Sequence, residues 1–181
     1  INAGSLDKLV LEKFGKASAE ALVYSALENV RLLNRYDFDD ICISIKASEV
    51  KKTIEAYRLL AQQTDYPLHL GVTEAGTYNM GVIKSAIGIG ALLADGIGDT
   101  LRVSLTDSPV REVEVGLSIL RALGLRKDTV EIVSCPTCGR CNIDLEQLAQ
   151  TVEEHLKQVK KPLKVAVMGC AVNGPGEARE A

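Results

Sequence analysis

Between residues 17 and 124 the chain alternates segments of helical period with short segments of strand period, and this restricts its fold more than any other feature. Helices and strands in such alternation build βα units around a parallel sheet. Ser18 is placed to cap a helix over 18–34 that carries Leu22, Ala26, Leu27, Val30 and Leu33 on one stripe. Ser48 is placed to cap the next, through Ile54, Tyr57, Leu60 and Ala61. A third helix is expected over 81–95 despite Gly88 and Gly90, which are assigned to close backbone packing. Ser108 and Pro109 suit the N-cap and first turn of a fourth helix running to 123, with Gly124 at its C′ position. Strands are expected over 40–46, 68–73 and 100–105, and residues 1–4 read as the tail of another.

Each of the three clear strands has one apolar and one polar face. Ile41, Ile43 and Ile45 oppose Cys42, Ser44 and Lys46; Leu68, Leu70 and Val72 oppose His69, Gly71 and Thr73; Leu101, Val103 and Leu105 oppose Arg102, Ser104 and Thr106. An antiparallel sheet could wet such polar faces. Parallel strands joined by helices have both faces covered, so their polar face must line an enclosed space, most simply the lumen of a (β/α)8 barrel. Four βα units cannot close eight strands, so the chain is part of a barrel or pairs with another copy. Lys46, His69 and Arg102 bring positive charge towards the C-terminal strand ends, Lys84 lies early in the following helix, and helix N-termini point the same way. The expected ligand is small, anionic and phosphorylated. Glu74, directly after Thr73, suits a general acid or base at the lip of that site; a solvated loop glutamate is the alternative. Gly88-Ile89-Gly90 lacks the third glycine and the preceding strand of a dinucleotide fingerprint. Cys42 reads as a small buried strand residue, and His155 as part of a polar helix face.

Composition narrows the classes. The 181 residues amount to one domain or somewhat more, and 46% hydrophobic residues with 25% charged residues describe a folding chain. Twenty-one Lys and Arg against 24 Asp and Glu leave a net charge of −3, too little field to gather nucleic acid or an anionic membrane. The longest uncharged apolar stretch, 86–94, is far short of the ~18 residues of a membrane span, and residues 1–8 carry no secretory pattern. A cytoplasmic location is expected.

After residue 125 the character changes to a short strand over 130–134, a cysteine cluster, a helix over 144–160 and a strand over 163–168. Two domains are expected, 1–126 and 127–181. Cys135, Cys138 and Cys141 have C-x₂-C-x₂-C spacing, and Cys170 ends a strand that can lie beside them. That spacing favours an iron–sulfur cluster over structural zinc, which more often uses two separated pairs. Four thiolates would suffice for either, so a non-catalytic Cys₄ zinc module on a phosphate-binding α/β domain remains the alternative. A Gly174-Pro175-Gly176 turn would fold closely round a cofactor and return Glu177 towards it. A carboxylate ligand, more labile than thiolate, implies substrate binding at iron.

At these residues the sequence resembles the 4-hydroxy-3-methylbut-2-en-1-yl diphosphate synthase family of isoprenoid biosynthesis by the methylerythritol phosphate route. The resemblance rests on Asn2-Ala3-Gly4-Ser5-Leu6, Ser44-Ile45-Lys46-Ala47-Ser48, His69-Leu70-Gly71-Val72-Thr73-Glu74-Ala75-Gly76, Lys84-Ser85-Ala86-Ile87-Gly88-Ile89-Gly90, 99–106, 134–140 and 167–181. It implies an α/β fold: the second half of a (β/α)8 TIM-type barrel, then part of a smaller α+β iron–sulfur domain. It further implies a [4Fe–4S] cluster on Cys135, Cys138, Cys170 and Glu177, with Cys141 not a ligand. Asn2, Lys46, Lys84, Arg102 and Ser104 match diphosphate or substrate contacts, to which the strand pattern adds His69. Asn173 matches a residue facing substrate beside the cluster, and Glu74 an acidic residue of proton transfer. The implied reaction converts 2-C-methyl-D-erythritol 2,4-cyclodiphosphate to (E)-4-hydroxy-3-methylbut-2-enyl diphosphate by two-electron reductive ring opening and dehydroxylation, with ferredoxin or flavodoxin as donor. The resemblance also implies a homodimer in which the cluster domain of one subunit closes over the barrel of the other. Because these residues open inside the barrel and stop just beyond Glu177, this polypeptide by itself is expected to turn over poorly or not at all.

Overall fold

Helices and extended segments alternate along the chain as the periodicity predicts. The computed structural model describes residues 1–180, with side chains as far as Gly176. It divides into two units, Ile1–Leu125 and Arg126–Ala181. The first contains a 3₁₀ turn (Ala3–Ser5), α1 (Lys8–Phe14), α2 (Ala19–Asn34), α3 (Val50–Ala61), β1 (His69–Leu70), α4 (Tyr78–Ala94), β2 (Thr100–Leu101) and α5 (Pro109–Ala122).

Four extended segments lie side by side in chain order, all parallel: Asn2 bridges Lys46, Ile43 bridges Leu68, and β1 pairs with β2 at His69–Thr100 and Leu70–Leu101. Strands in sequential order with helices between them are the arrangement of a barrel wall. The regular ladder is shorter than the expected strands over 40–46, 68–73 and 100–105, because side chains occupy several of its positions. Asp99 Oδ2 accepts the Leu68 N–H at 2.8 Å, Glu112 Oε1 accepts the Leu105 N–H at 2.8 Å, and the Tyr57 hydroxyl takes the Ile45 N–H at 3.0 Å. The alternation of faces holds nonetheless. Ile43, Ile45, Leu68, Leu70, Val72 and Val103 are buried, while Lys46, His69, Thr73 and Ser104 are half-buried. Cys42 departs from its expected burial: it precedes the first bridge, at Ile43, and is exposed.

Local signals set several helix ends. The Ser18 hydroxyl accepts the Ala21 N–H at 3.3 Å and starts α2; Ser108 accepts the Val110 N–H at 3.4 Å, with Pro109 opening α5. Gly124 takes φ +67° just beyond α5. Ser48 does not cap α3, which begins at Val50 after an uncapped Glu49. The chain is still tied into the extended layer at Ala47, whose carbonyl accepts the Thr73 N–H, so the helix starts later than its polar residues suggest. Gly88 packs as expected, since a Cβ there would lie 2.6 Å from Val72 Cγ2, but Gly90 has open space where its Cβ would be.

Gly98 is the most demanding glycine of the unit. It has φ +114°, and an added Cβ would lie 2.4 Å from Cδ1 of the fully buried Leu70. Gly98→Ala therefore combines backbone strain with overpacking and is expected to cost about 2–4 kcal/mol in urea unfolding. Gly96→Ala has a positive φ but open space, and should cost only the conformational part, about 1–2 kcal/mol.

The second unit contains β3 (Glu131–Ser134), α6 (Leu145–Leu156), β4 (Lys164–Val167) and α7 (Asn173–Glu180). β3 and β4 pair in parallel from Glu131–Lys164 to Ser134–Val167, and Asp144 caps α6 by accepting the Gln147 N–H at 3.1 Å. The expected Gly174-Pro175-Gly176 turn is instead the first turn of α7. Proline is tolerated there because the first N–H groups of a helix have no intrahelical acceptor. Among the described residues of this unit, only Leu145 and Val167 are buried hydrophobics.

Candidate functional site

In the first unit, the segment carrying Lys46 runs between those of Asn2 and His69. Its backbone is fixed on the Asn2 side by Lys46 N–H to Ile1 carbonyl at 2.9 Å and Ala3 N–H to Lys46 carbonyl at 3.0 Å. The Lys46 side chain then crosses residue 71. A Cβ at Gly71 would lie 3.2 Å from Lys46 Cε, 3.4 Å from its Nζ and 2.9 Å from the Arg102 carbonyl, so only glycine leaves this passage open. Lys46, His69 and Arg102 thereby form one basic group. Burial, then the Arg102 guanidinium, pushes the Lys46 ammonium below its ordinary pKa. Burial, then Lys46 and Arg102, does the same to the His69 imidazole, whose Nδ1 lies 2.8 Å from Thr100 Oγ1. None of the ion pairs among the described residues includes Lys46, Arg102 or Lys84. Arg102 disfavours the charged form of Lys46, both disfavour that of His69, and a basic group without carboxylate partners among the described residues suits an anionic ligand.

The other sequence-derived residues are arranged more loosely. Asn2 shares a 390 Å³ cavity with Lys46, but its side-chain oxygen accepts the Gly4 N–H at 3.0 Å and so also caps the first turn. Ser104 follows Arg102 on the same strand face and is half-buried, as is Lys84 on α4. Neither they nor Glu74 make a side-chain hydrogen bond or ion pair with the cations among the described residues. Glu74 is exposed at φ +52°, the left-handed region that non-glycine residues seldom occupy and that recurs at functional sites. Sequence reasoning missed the roles of Thr100, Gly71 and Tyr57; the glycine inside a polar strand face was the available signal for the second.

In the second unit, Cys135 follows β3 and Cys170 follows β4, so the parallel pair delivers both to the same end. Asn173 ties them together. Its Nδ2 donates to Cys135 Sγ at 2.9 Å and its backbone N–H to Cys170 Sγ at 3.5 Å. The amide matched to a substrate-facing role is thus engaged with sulfur. The backbone N–H of Arg140, then its side chain, holds the exposed Cys138 thiol below the ordinary thiol range, and backbone N–H groups of Asn173 and Val172 do so for Cys170. Cys141 is different: its thiol donates to the Ile143 carbonyl at 3.3 Å, and its Sγ fills the space where a Cβ on Gly169 would stand, 2.4 Å away. Among the described residues no three His, Cys, Asp or Glu side chains converge closely enough to hold a metal ion. The donor chemistry nevertheless suits a thiophilic metal group: Cys135, Cys138 and Cys170 are soft ligands with N–H groups directed at all three of their sulfurs. Glu177 lies on α7, and its side chain is outside the described residues.

No helix among the described residues is long and apolar enough to cross a membrane. The family model described as the GcpE TIM-barrel domain matches residues 1–117, and that described as the GcpE protein C-terminal domain matches residues 131–181. The chain is similar to curated proteins named 4-hydroxy-3-methylbut-2-en-1-yl diphosphate synthase (flavodoxin). It is 64% identical to that of Caldanaerobacter subterraneus subsp. tengcongensis, 62% to that of Geobacter sulfurreducens and 60% to that of Fusobacterium nucleatum. Each match covers all 181 residues and 51% of the relative. The chain thus spans about half the length of the curated relatives it matches.

Proposed function

This chain belongs to the GcpE family, and on that premise we propose that it binds a cyclic diphosphate in its first unit and a [4Fe–4S] cluster in its second. Residues 1–126 are read as the second half of a (β/α)8 barrel and 127–181 as part of the cluster domain. The reaction is the reductive ring opening of 2-C-methyl-D-erythritol 2,4-cyclodiphosphate to (E)-4-hydroxy-3-methylbut-2-enyl diphosphate. The observation that carries this reading is the group of Lys46, His69 and Arg102 on one face of sequential parallel strands, with no carboxylate among the described residues paired to either Lys46 or Arg102.

Lys46 and Arg102, with Lys84, Ser104 and Asn2 around them, hold the diphosphate, fix the ring and stabilise charge on the departing phosphate oxygen. His69, hydrogen-bonded to Thr100, adds a positive charge when the bound anion favours its protonation. Glu74 delivers the proton with which the hydroxyl departs as water. Cys135, Cys138, Cys170 and Glu177 would hold the cluster, which when bound would supply electrons one at a time. Asn173 keeps two of those sulfurs in place. Flavodoxin is favoured over ferredoxin as the donor because the relatives' names carry it. Residues of a second copy complete the site in a homodimer. A second unit with so few buried hydrophobics also gains stability from a bound metal group, as small domains commonly do.

The reading is tested by titrating the chain with the cyclodiphosphate and with phosphate-free 2-C-methyl-D-erythritol. The polyol should bind at least about 100-fold more weakly, two charge-assisted contacts being lost; equal affinities would contradict the assignment of the cations. Glu74→Gln, assayed in a protein completed to the relatives' length, should lower turnover by about 10²-fold with cyclodiphosphate affinity unchanged. Unchanged turnover would remove Glu74 from the mechanism.

A further inference from the structure

We propose that Tyr57 and Thr53, one turn apart on α3, are positioning residues that clamp the backbone on both sides of Lys46 and so aim its ammonium at the anion site; this rests on the reading of Lys46, His69 and Arg102 given above. Where a parallel ladder would join the Ile45 N–H to the His69 carbonyl, the Tyr57 hydroxyl stands between them. It accepts from Ile45 N–H at 3.0 Å and donates to the His69 carbonyl. Two residues further on, the Thr53 hydroxyl donates at 3.2 Å to the carbonyl of Ala47 and equally to that of Glu49. Both side chains are buried, Tyr57 completely. Burial pushes the Tyr57 phenol pKa up, which keeps it a neutral hydroxyl able to donate and accept at once.

The consequence is geometric. An inserted hydroxyl separates the Lys46 and His69 strands by one more bonded atom than direct pairing would, so it acts as a wedge between them. It does so next to Lys46, whose side chain then passes over Gly71 towards Arg102. On its far side Lys46 is held by the bonds to Ile1 and Ala3. The residue is thus fixed from both directions: by a neighbouring segment through its own N–H and carbonyl, and by a helix through the groups on either side of it. Burying a phenol to satisfy one strand N–H and one strand carbonyl is an unusual use of a core position, where a leucine would pack without polar atoms to satisfy.

The test uses Tyr57→Phe and Thr53→Val in the 181-residue chain, with inorganic pyrophosphate as probe and histidine-ring NMR as the second readout. The chain has two histidines, and His155, exposed on α6, is the internal control. Each variant should keep its far-UV circular dichroism and bind pyrophosphate about tenfold more weakly, with the double variant losing less than the product of the two. In Tyr57→Phe the His69 pKa should rise towards its ordinary value as Lys46 moves away. Unchanged pyrophosphate affinity would overturn the clamp, as would weakened affinity with an unmoved His69 titration, since Lys46 would then have kept its place. If the unsubstituted chain fails to bind pyrophosphate but His69 still moves in Tyr57→Phe, the anion-site reading falls and the clamp stands.

Discussion

Cys170→Ser is expected to abolish iron incorporation during anaerobic reconstitution, whereas Cys141→Ser retains nearly all of it. The two cysteines have the same chemistry but different surroundings. Cys170 follows β4 at the end of the pair where Cys135 follows β3, and receives the backbone N–H of Asn173. A thiolate there is stabilised before any metal arrives, and serine supplies a harder, far less acidic ligand in its place. The Cys141 thiol donates to a carbonyl and fills a space against Gly169, which serine can occupy with the same hydrogen bond. Iron content by plasma emission and the absorbance of the reconstituted chain decide the matter. Equal loss in both variants would indicate a four-cysteine site and revive a structural zinc module.

Lys46→Met is the second large effect expected: inorganic pyrophosphate should bind about 30- to 100-fold more weakly, as read by calorimetry at low ionic strength. Methionine keeps most of the unbranched side chain over Gly71, so the loss reports charge rather than shape. Burial and Arg102 disfavour the charged form of Lys46, and a bound anion would offset that penalty. An exposed lysine such as Lys51, paired loosely with Glu55 on the surface of α3, should change affinity by less than about twofold when replaced. Similar losses at Lys46 and Lys51 would point to a diffuse charge effect and contradict a defined site.

The parts of this structure legible in the sequence are those that depend on a few adjacent residues. Ser18 and Ser108 cap helices because a hydroxyl three or two residues before an N–H needs no tertiary partner. The two-faced strands were legible because period-two alternation survives even where the ladder is broken, and they led directly to Lys46, His69 and Arg102. Ser48 misled because a competing bond, Thr73 N–H to the Ala47 carbonyl, keeps the chain extended past it. Gly174-Pro175-Gly176 misled because the same residues that break a helix interior are admissible in its first turn. The place of Tyr57 on its helix was legible but the role of its hydroxyl was not: it meets backbone groups 12 residues away on either side, an encounter that exists only after α3 docks on the strands. The resemblance, not the spacing, sets Cys141 apart from Cys135, Cys138 and Cys170, and the contact that distinguishes its sulfur in the structure, with Gly169, lies 28 residues further along the chain.

If one chain carries both a diphosphate site and a cluster open to substrate, the electron paramagnetic resonance spectrum of the anaerobically reconstituted, reduced chain reports on both when it is recorded with and without the cyclodiphosphate and iron is determined on the same sample. About four irons per chain and a spectrum changed by the cyclodiphosphate are the predicted result. One zinc per chain, or a cluster whose spectrum ignores the cyclodiphosphate, would contradict it.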